Sequence, residues 1–160
     1  MTLPEYVDRT EIVRRVSANE LTSDHDAQWA EDLSVDATRV IVEDLEAKLP
    51  SFDVVMLPSR SRRMMEYEVN VDLTRFDSGT GGKVIARGWW TIADADGREV
   101  ASGRVSQEDQ ASRADYDAAA ASMSRILVRL SAEIATAVDG LSRRHEAAGN
   151  ELMPGSPTSL

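Results

Sequence analysis

The strongest constraint on the fold is an alternation of apolar and polar residues along residues 65–76. Apolar side chains occupy the odd positions from Met65 to Leu73, and polar side chains occupy the even positions from Glu66 to Thr74. Because successive side chains of a strand point to opposite faces, this period of two predicts a half-buried β-strand and excludes a helix. The chain is therefore expected to be organised around a sheet.

Two more strands are predicted directly after the first. The glycine-rich stretch 78–82 precedes a second strand at 83–93. The dipeptide Asp96-Gly97, which favours a two-residue hairpin turn, precedes a third strand at 99–105. These three strands are expected to form an antiparallel meander. Shorter strands are predicted at 12–16 and 54–57, and residues 21–29 are predicted to form an irregular edge strand or a loop.

Two segments have the spacing of amphipathic helices. Apolar residues recur every three or four positions within 33–49, and again from Tyr116 to Leu141. Ser112 and Asp115 have the spacing of a capping box before the second helix. The predicted fold class is therefore α+β: a two-layer sandwich, mostly antiparallel sheet, with two amphipathic helices on one face.

Length and composition predict one soluble domain. The 160 residues suggest a single domain over 1–146, followed by a disordered C-terminal tail at 147–160 that contains proline and glycine. The net charge of −10 argues against nucleic acid as a partner. Cysteine is absent, so neither a disulfide nor a lipidated cysteine is expected in this chain. No signal peptide is recognised at the start, which predicts a cytoplasmic protein if that start is genuine.

Short motifs that resemble ligand sites have simpler explanations. A phosphate-binding loop ending at Lys83 would need glycine where Asp77 stands. A calcium loop beginning at Asp94 would need an oxygen ligand where Arg98 stands. The acidic residues beside His25 fit a solvated loop better than a metal site. We therefore predict no catalytic residue, no cofactor and no metal, and a protein that is not an enzyme.

Two surface features are candidates for contact with a partner. Trp89 and Trp90 are adjacent in a predicted strand, so only one of them can enter the helix-covered core. The other is expected on an apolar second face, exposed unless a loop or the N-terminal segment covers it. Arg60, Arg62 and Arg63 form a basic cluster that suits an acidic partner or lipid headgroups, with a solvated loop as the alternative.

Several blocks of the sequence are similar to the PqiC-type (YmbA-like) ABC-transport auxiliary lipoproteins. The blocks are Leu-Pro-Glu-Tyr-Val-Asp-Arg at 3–9, Gln-Trp-Ala-Glu-Asp-Leu at 28–33, and Tyr-Glu-Val at 67–69. Together with weaker matches, the resemblance covers residues 3–141. It departs from the family at Asp32, where proline is usual, and in the absence of a secretion signal and a lipidated cysteine.

The resemblance implies a non-enzymatic accessory subunit of an MCE-type ABC system that transports phospholipid across the Gram-negative envelope. It implies an MCE-family transport protein as partner, phospholipid as a ligand, and a location in the periplasm at the outer membrane. It also implies a homo-oligomer, which would bury the sheet face that two helices leave uncovered. The alternative is a cytosolic adaptor or interaction domain that kept the fold without the lipid anchor.

Overall fold

The fold is one sheet with two helices on one of its faces. The structure, a computed structural model, describes residues 1–58 and 65–151. Its elements in chain order are β1 (Glu11–Arg15), β2 (Leu21–Gln28), α1 (Leu33–Lys48), β3 (Tyr67–Gly79), β4 (Lys83–Asp94), β5 (Glu99–Gln110) and α2 (Tyr116–Glu151). The sheet order is β2-β1-β3-β4-β5. The predicted α+β class is confirmed.

The predicted meander is present, and its strands are longer than predicted. β3 continues to Gly79 and β5 to Gln110, and both β3–β4 and β4–β5 are antiparallel. The β4–β5 turn is closed by the Asp94 carboxylate, whose Oδ1 accepts hydrogen bonds from the backbone amides of Asp96 (2.9 Å) and Arg98 (3.0 Å). A turn therefore accounts for the acidic residues that begin like a calcium loop.

One strand pairing makes the sheet mixed. β1 and β2 pair antiparallel, as a hairpin at one edge. β1 also pairs with β3, and this pairing is parallel, through Arg14 with Ser78 and Arg15 with Gly79. The predicted strand at 54–57 is wrong: this stretch pairs with no strand of the sheet and lines a pocket.

The first helix begins with help from the N-terminal segment. Asp32 precedes α1 but makes no capping hydrogen bond through its side chain. Instead, Oδ1 of Asp8 accepts a hydrogen bond of 3.1 Å from the backbone amide of Ser34. This bond satisfies one of the amides that the first turn of a helix leaves unpaired. The predicted apolar stripe is buried as expected, at Leu33, Ala37, Ile41 and Leu45.

The second helix supplies the largest part of the core. It packs across β5 and β4 and against α1, and Ile126, Leu130 and Ile134 are fully buried. Its N-cap is Asp115, whose Oδ1 accepts a hydrogen bond of 2.8 Å from the Ala118 amide. The predicted capping box, with Ser112 as the cap, is therefore wrong because the helix starts three residues later.

The second helix also extends further than predicted. It ends at Glu151, so residues 147–151 are helical rather than part of a disordered tail. The rest of that predicted tail, 152–160, lies outside the described residues. The helix therefore continues well beyond Leu141, the last position of its predicted apolar stripe.

The two faces of the sheet separate along β4. Val84, Trp90 and Ile92 belong to the buried core, whereas Trp89 lies on the opposite, helix-free face. Trp90 lies opposite Gly103 in the register of β5. A Cβ atom at position 103 would lie 2.5 Å from the indole ring, so glycine is needed there for the indole to pack against the sheet.

Candidate functional site

The exposed tryptophan is the most prominent apolar feature of the helix-free face. Trp89 has 49% of its surface exposed, and in the strand register it lies between Asp72 of β3 and Arg104 of β5. An open groove beside it is lined by Trp89, Thr91, Glu99, Ser102, Gly103 and Arg104. We refer to these six residues as the Trp89 surface. A large aromatic side chain with polar neighbours is typical of a protein contact.

The remainder of the helix-free face is more polar than predicted. Lys83 and Arg87 of β4 both pair with the carboxylate of Glu108 in β5, at 2.6 and 2.5 Å. Ile85, predicted to extend the apolar patch around the tryptophan, is half-buried. The expectation of a broad aromatic and aliphatic second face is therefore wrong, because polar and charged side chains occupy most outward positions of β3 and β5. Trp89 stands largely alone.

The other residues predicted for partner contact are placed differently. Trp90 is only 7% exposed and packs within the core, so it cannot be part of an accessible surface. Arg60, Arg62 and Arg63 lie outside the described residues. Their proposed role in binding an acidic partner stays a prediction.

A buried carboxylate on β3 joins three separate parts of the chain. Asp77 is fully buried and accepts five hydrogen bonds. The Tyr6 hydroxyl donates one of 2.7 Å to Oδ2, the Arg15 guanidinium donates two to the same oxygen, and the Arg75 guanidinium donates two to Oδ1. The Arg15 guanidinium also lies over the Tyr6 ring, 5.3 Å from its centre. We call Tyr6, Arg15, Arg75 and Asp77 the Asp77 cluster.

The electrostatics of this cluster favour the ionised carboxylate. Burial acts to raise the pKa of Asp77, but hydrogen bonds from Arg15, Tyr6 and Arg75 outweigh it, and the pKa lies below its usual value. Burial and the hydrogen bond to Asp77 raise the pKa of Tyr6. A tyrosine that stays protonated and a carboxylate that stays charged are suited to structural hydrogen bonding. They do not suit proton transfer near neutral pH.

A pocket lies between α1 and the start of β3. It has a volume of about 460 Å³, within the range of pockets that hold small molecules. One wall comes from α1 and includes Ile41 and Leu45, and the other comes from β3 and includes Val69 and Val71. The segment 51–57 closes one side. We call this cavity the α1–β3 pocket.

The rim of the α1–β3 pocket is unusually apolar for a surface. Four lining residues keep about two-fifths of their surface exposed: Val55 at 41%, Met56 at 44%, Leu57 at 44% and Met65 at 40%. Such a cluster of exposed apolar side chains around a cavity marks a contact or binding site rather than ordinary surface. The sequence predicts a strand at 54–57. The structure shows instead that the side chains of this stretch line a cavity.

Among the described residues, no group of three or more histidine, aspartate or glutamate side chains is placed to hold a metal ion. Within residues 1–58 and 65–151, neither helix combines the length and the apolar character required to cross a bilayer.

Comparison with known proteins identifies relatives of the fold. An uncharacterized protein of known crystal structure matches with a TM-score of 0.75 at 22% identity, over 86% of this chain and 86% of its own. A protein from Xanthomonas campestris matches with a TM-score of 0.69 at 23% identity, over 90% of this chain and 84% of its own. No curated protein sequence matches the chain. At these identities the two structures establish the shared fold.

A family model provides the evidence for identity. The model for the ABC-type transport auxiliary lipoprotein component matches residues 1–135, most of the chain. The match includes β1–β5, α1 and the first half of α2, so it spans the Asp77 cluster, the Trp89 surface and all of the described α1–β3 pocket lining except Val138. The chain therefore belongs to the family of ABC-type transport auxiliary lipoprotein components.

Proposed function

We propose that this protein is a non-enzymatic accessory subunit of an MCE-type ABC system that carries phospholipid across the Gram-negative envelope. Membership of the auxiliary lipoprotein family supports an accessory role in transport and a location in the cell envelope. The MCE partner, the phospholipid cargo and attachment at the outer membrane are the finer parts of the proposal. Membership of the family is the single observation that carries it.

The proposal is tested by capture of the partner. The full chain, tagged at its C-terminus, is expressed in the native host, and its complexes are crosslinked and purified. We expect an MCE-family protein and its permease among the captured proteins, and we expect the tagged chain in the membrane fraction. A chain found only in the cytosolic fraction, without a transport partner, would support the adaptor alternative.

Self-association through the Trp89 surface is a second part of the proposal. Interface cores favour tryptophan and arginine, and the Trp89 surface places Trp89 beside Arg104. A ring of identical subunits would bury this tryptophan and would leave the polar remainder of the face at the rim. The exposure of Trp89 on β4, an interior strand of the sheet, supports this arrangement, because Trp89 lies on the helix-free face.

Replacing Trp89 with glutamate is expected to convert an oligomer into a monomer. The substitution removes the aromatic anchor and places a charge that must be desolvated at the centre of the interface, a cost that pairing with the neighbouring Arg104 does not fully offset. Light scattering coupled to size exclusion measures the mass. Val100→Glu is the matched control, because Val100 is also an exposed apolar residue of the meander (37%) outside the Trp89 surface, and this variant should keep its mass. A monomeric parent protein at micromolar concentration would contradict the prediction.

A further inference from the structure

We infer that the free edge of β5 pairs with β5 of a second copy of this chain, antiparallel and around a two-fold axis at Ser106. The inference deepens the self-association proposed above, and it rests on that proposal only for the identity of the occupant. The contact is made by the edge of the sheet and not by the indole of Trp89, so the two contacts can be tested separately.

The edge of β5 presents a row of backbone hydrogen-bonding groups. β5 is the last strand of the sheet and pairs only with β4. The Ala111 amide donates to the carbonyl of Gly82, just before β4, and the Gln107 carbonyl accepts from Arg87 of β4. The odd-numbered residues therefore direct their backbone groups toward β4. Because this direction alternates along a strand, the backbone groups of the even-numbered residues within 102–110 point away from the sheet.

Little of the described chain covers this edge. In the part of the chain that the structure describes, one hydrogen bond reaches an outward backbone group of β5, from the Arg129 guanidinium to the Glu108 carbonyl at 3.3 Å. α2 otherwise contacts β5 through side chains such as Gln107 and Asp109. The 12 residues of β5 include neither proline nor lysine, two residues that commonly protect a strand edge from pairing. The edge is therefore available to another strand.

The segments outside the described residues do not suit this edge. Residues 59–64 join Pro58 to Met65, ahead of β3, and β4 lies between β3 and β5 in the sheet. Residues 152–160 include prolines at 154 and 157, and proline lacks the amide that pairing of strands requires. A second copy instead offers an identical free edge of the same length.

The charges along β5 select one register of self-pairing. Arg104 and Glu108 both lie on the helix-free face. With the axis at Ser106, Arg104 of each copy lies opposite Glu108 of the partner subunit, so two pairs of opposite charge form. An axis at 104 would place two arginines opposite each other, and an axis at 108 two glutamates, which is destabilising. Axes at 105 or 107 would place both charges opposite serine or glutamine.

Both charged side chains can make this contact. Arg104 is exposed, and no carboxylate of the described residues forms an ion pair with it. Glu108 keeps 41% of its side chain exposed and pairs with Lys83 through one oxygen and with Arg87 through the other. Each oxygen of a carboxylate can accept about two hydrogen bonds, so Glu108 can accept from a further arginine without losing either partner.

The pairing of edges is weaker than the contact at Trp89. Apart from Gly103 and Val105, the side chains from Ser102 to Gln110 are polar. Backbone hydrogen bonds and two exposed charge pairs therefore hold the copies together with little burial of apolar surface. Covalent trapping detects such a contact, whereas the mass at micromolar concentration reports the contact at Trp89.

The test introduces a single cysteine at the axis. The chain contains none, so Ser106→Cys supplies the only thiol. Directly opposite residues of antiparallel strands have Cα atoms about 4.5–5.5 Å apart, within the range of about 4.4–6.8 Å that a disulfide spans. With oxidised glutathione as the oxidant, we expect Ser106→Cys to form a covalent dimer, measured on a non-reducing gel and by mass spectrometry.

Ser102→Cys is the matched control. Ser102 is exposed on the same face of the same strand, but it lies four residues from the axis, so its two copies would be about 27 Å apart. We expect no covalent dimer from this variant under the same conditions. Thermal unfolding confirms that each variant folds.

Charge reversal in the Ser106→Cys background tests the register. Arg104→Glu, or Glu108→Lys, converts both cross-strand pairs into pairs of like charge. Each should lower the initial rate of cross-linking by about twofold to thirtyfold, the range expected from two such pairs. In an equimolar mixture of the two variants, opposite charges again face each other. The rate should therefore recover, and the product should be the mixed dimer.

Each outcome of these measurements decides the inference. Equal cross-linking by Ser106→Cys and Ser102→Cys, no cross-linking by Ser106→Cys, or a rate that charge reversal leaves unchanged would overturn it. If Trp89→Glu abolishes the oligomer while Ser106→Cys does not cross-link, this inference fails and the proposed self-association stands. Cross-linking by Ser106→Cys in a protein whose mass does not depend on Trp89 would support the pairing of edges and contradict the contact at Trp89.

Discussion

Replacing Asp77 with asparagine is expected to lower the free energy of unfolding by about 3 kcal/mol. Removing one partner of a buried ion pair costs about 3–5 kcal/mol, because the remaining charge is left unpaired. We expect the lower end because the side chains of Arg15 and Arg75 keep 19% and 34% of their surface exposed and can recruit water. Urea denaturation at neutral pH measures the loss.

The control is the same substitution at Asp72. Asp72 lies on the same strand and in the same outward register as Asp77, but it is half-exposed. Asp72→Asn should therefore change the unfolding free energy by less than about 0.5 kcal/mol. Equal losses from the two variants would show that the Asp77 cluster contributes nothing specific to stability.

The pH dependence of stability provides a second test of the Asp77 cluster. The pKa of Asp77 in the folded protein lies below its ordinary value of 3.8, so the folded state favours the ionised form. Its contribution is complete above the unfolded value and is lost as the pH falls through the folded value. We expect the parent to lose this stability progressively as the pH falls below about 3.8. Asp77→Asn should show a shallower curve in the same denaturation series.

Truncation of Leu130 to alanine is expected to destabilise the protein by about 2–5 kcal/mol. Leu130 is fully buried in α2, beside Ile126 and Ile134, at the centre of the contact between helix and sheet. The loss combines the transfer of the leucine side chain with the cavity that remains. The denaturant midpoint should fall without a change in the slope, because the folded state keeps its compactness.

Val128→Ala on the same helix is the matched control. Val128 is 42% exposed, and alanine has the higher helix propensity, so this variant should be neutral or slightly more stable. A loss at Val128 as large as that at Leu130 would mean that the assignment of core and solvent faces on α2 is incorrect.

The sequence alone predicted those elements whose pattern is local. Alternation identified β3 because one face of that strand is buried, and the spacing from Leu33 to Leu45 identified α1 for the same reason. The strand predicted at 54–57 failed because a short apolar run fits a strand and a pocket wall equally well. Ser112 failed as a cap because capping-box spacing is common and only the backbone path distinguishes Asp115.

The candidate sites could not be predicted from local sequence patterns, because they depend on contacts between residues that are distant in the sequence. The adjacent tryptophans had to face opposite sides, yet the sequence could not show that Trp90, opposite Gly103, is the inner one. Asp77 carried no local signal of burial, because its partners Tyr6 and Arg15 lie 71 and 62 residues away in the sequence. The α1–β3 pocket depends on the juxtaposition of distant segments, which a single sequence does not encode in any window.

The short parallel pairing between β1 and β3 makes local unfolding of the β1–β2 hairpin easier than unfolding of the whole domain. The β1–β3 pairing consists of only two residue pairs, whereas β3, β4 and β5 pair along almost their full lengths. It also closes a long loop, which delays its formation relative to the local hairpins of the meander. We therefore expect the β1–β2 hairpin to open as a separate foldon, so that its amides exchange with solvent while the meander and α2 stay intact. The hydrogen bonds from Arg15 to Asp77 join β1 to β3. We therefore expect acid that protonates Asp77 to separate the hairpin from β3 before it unfolds the domain.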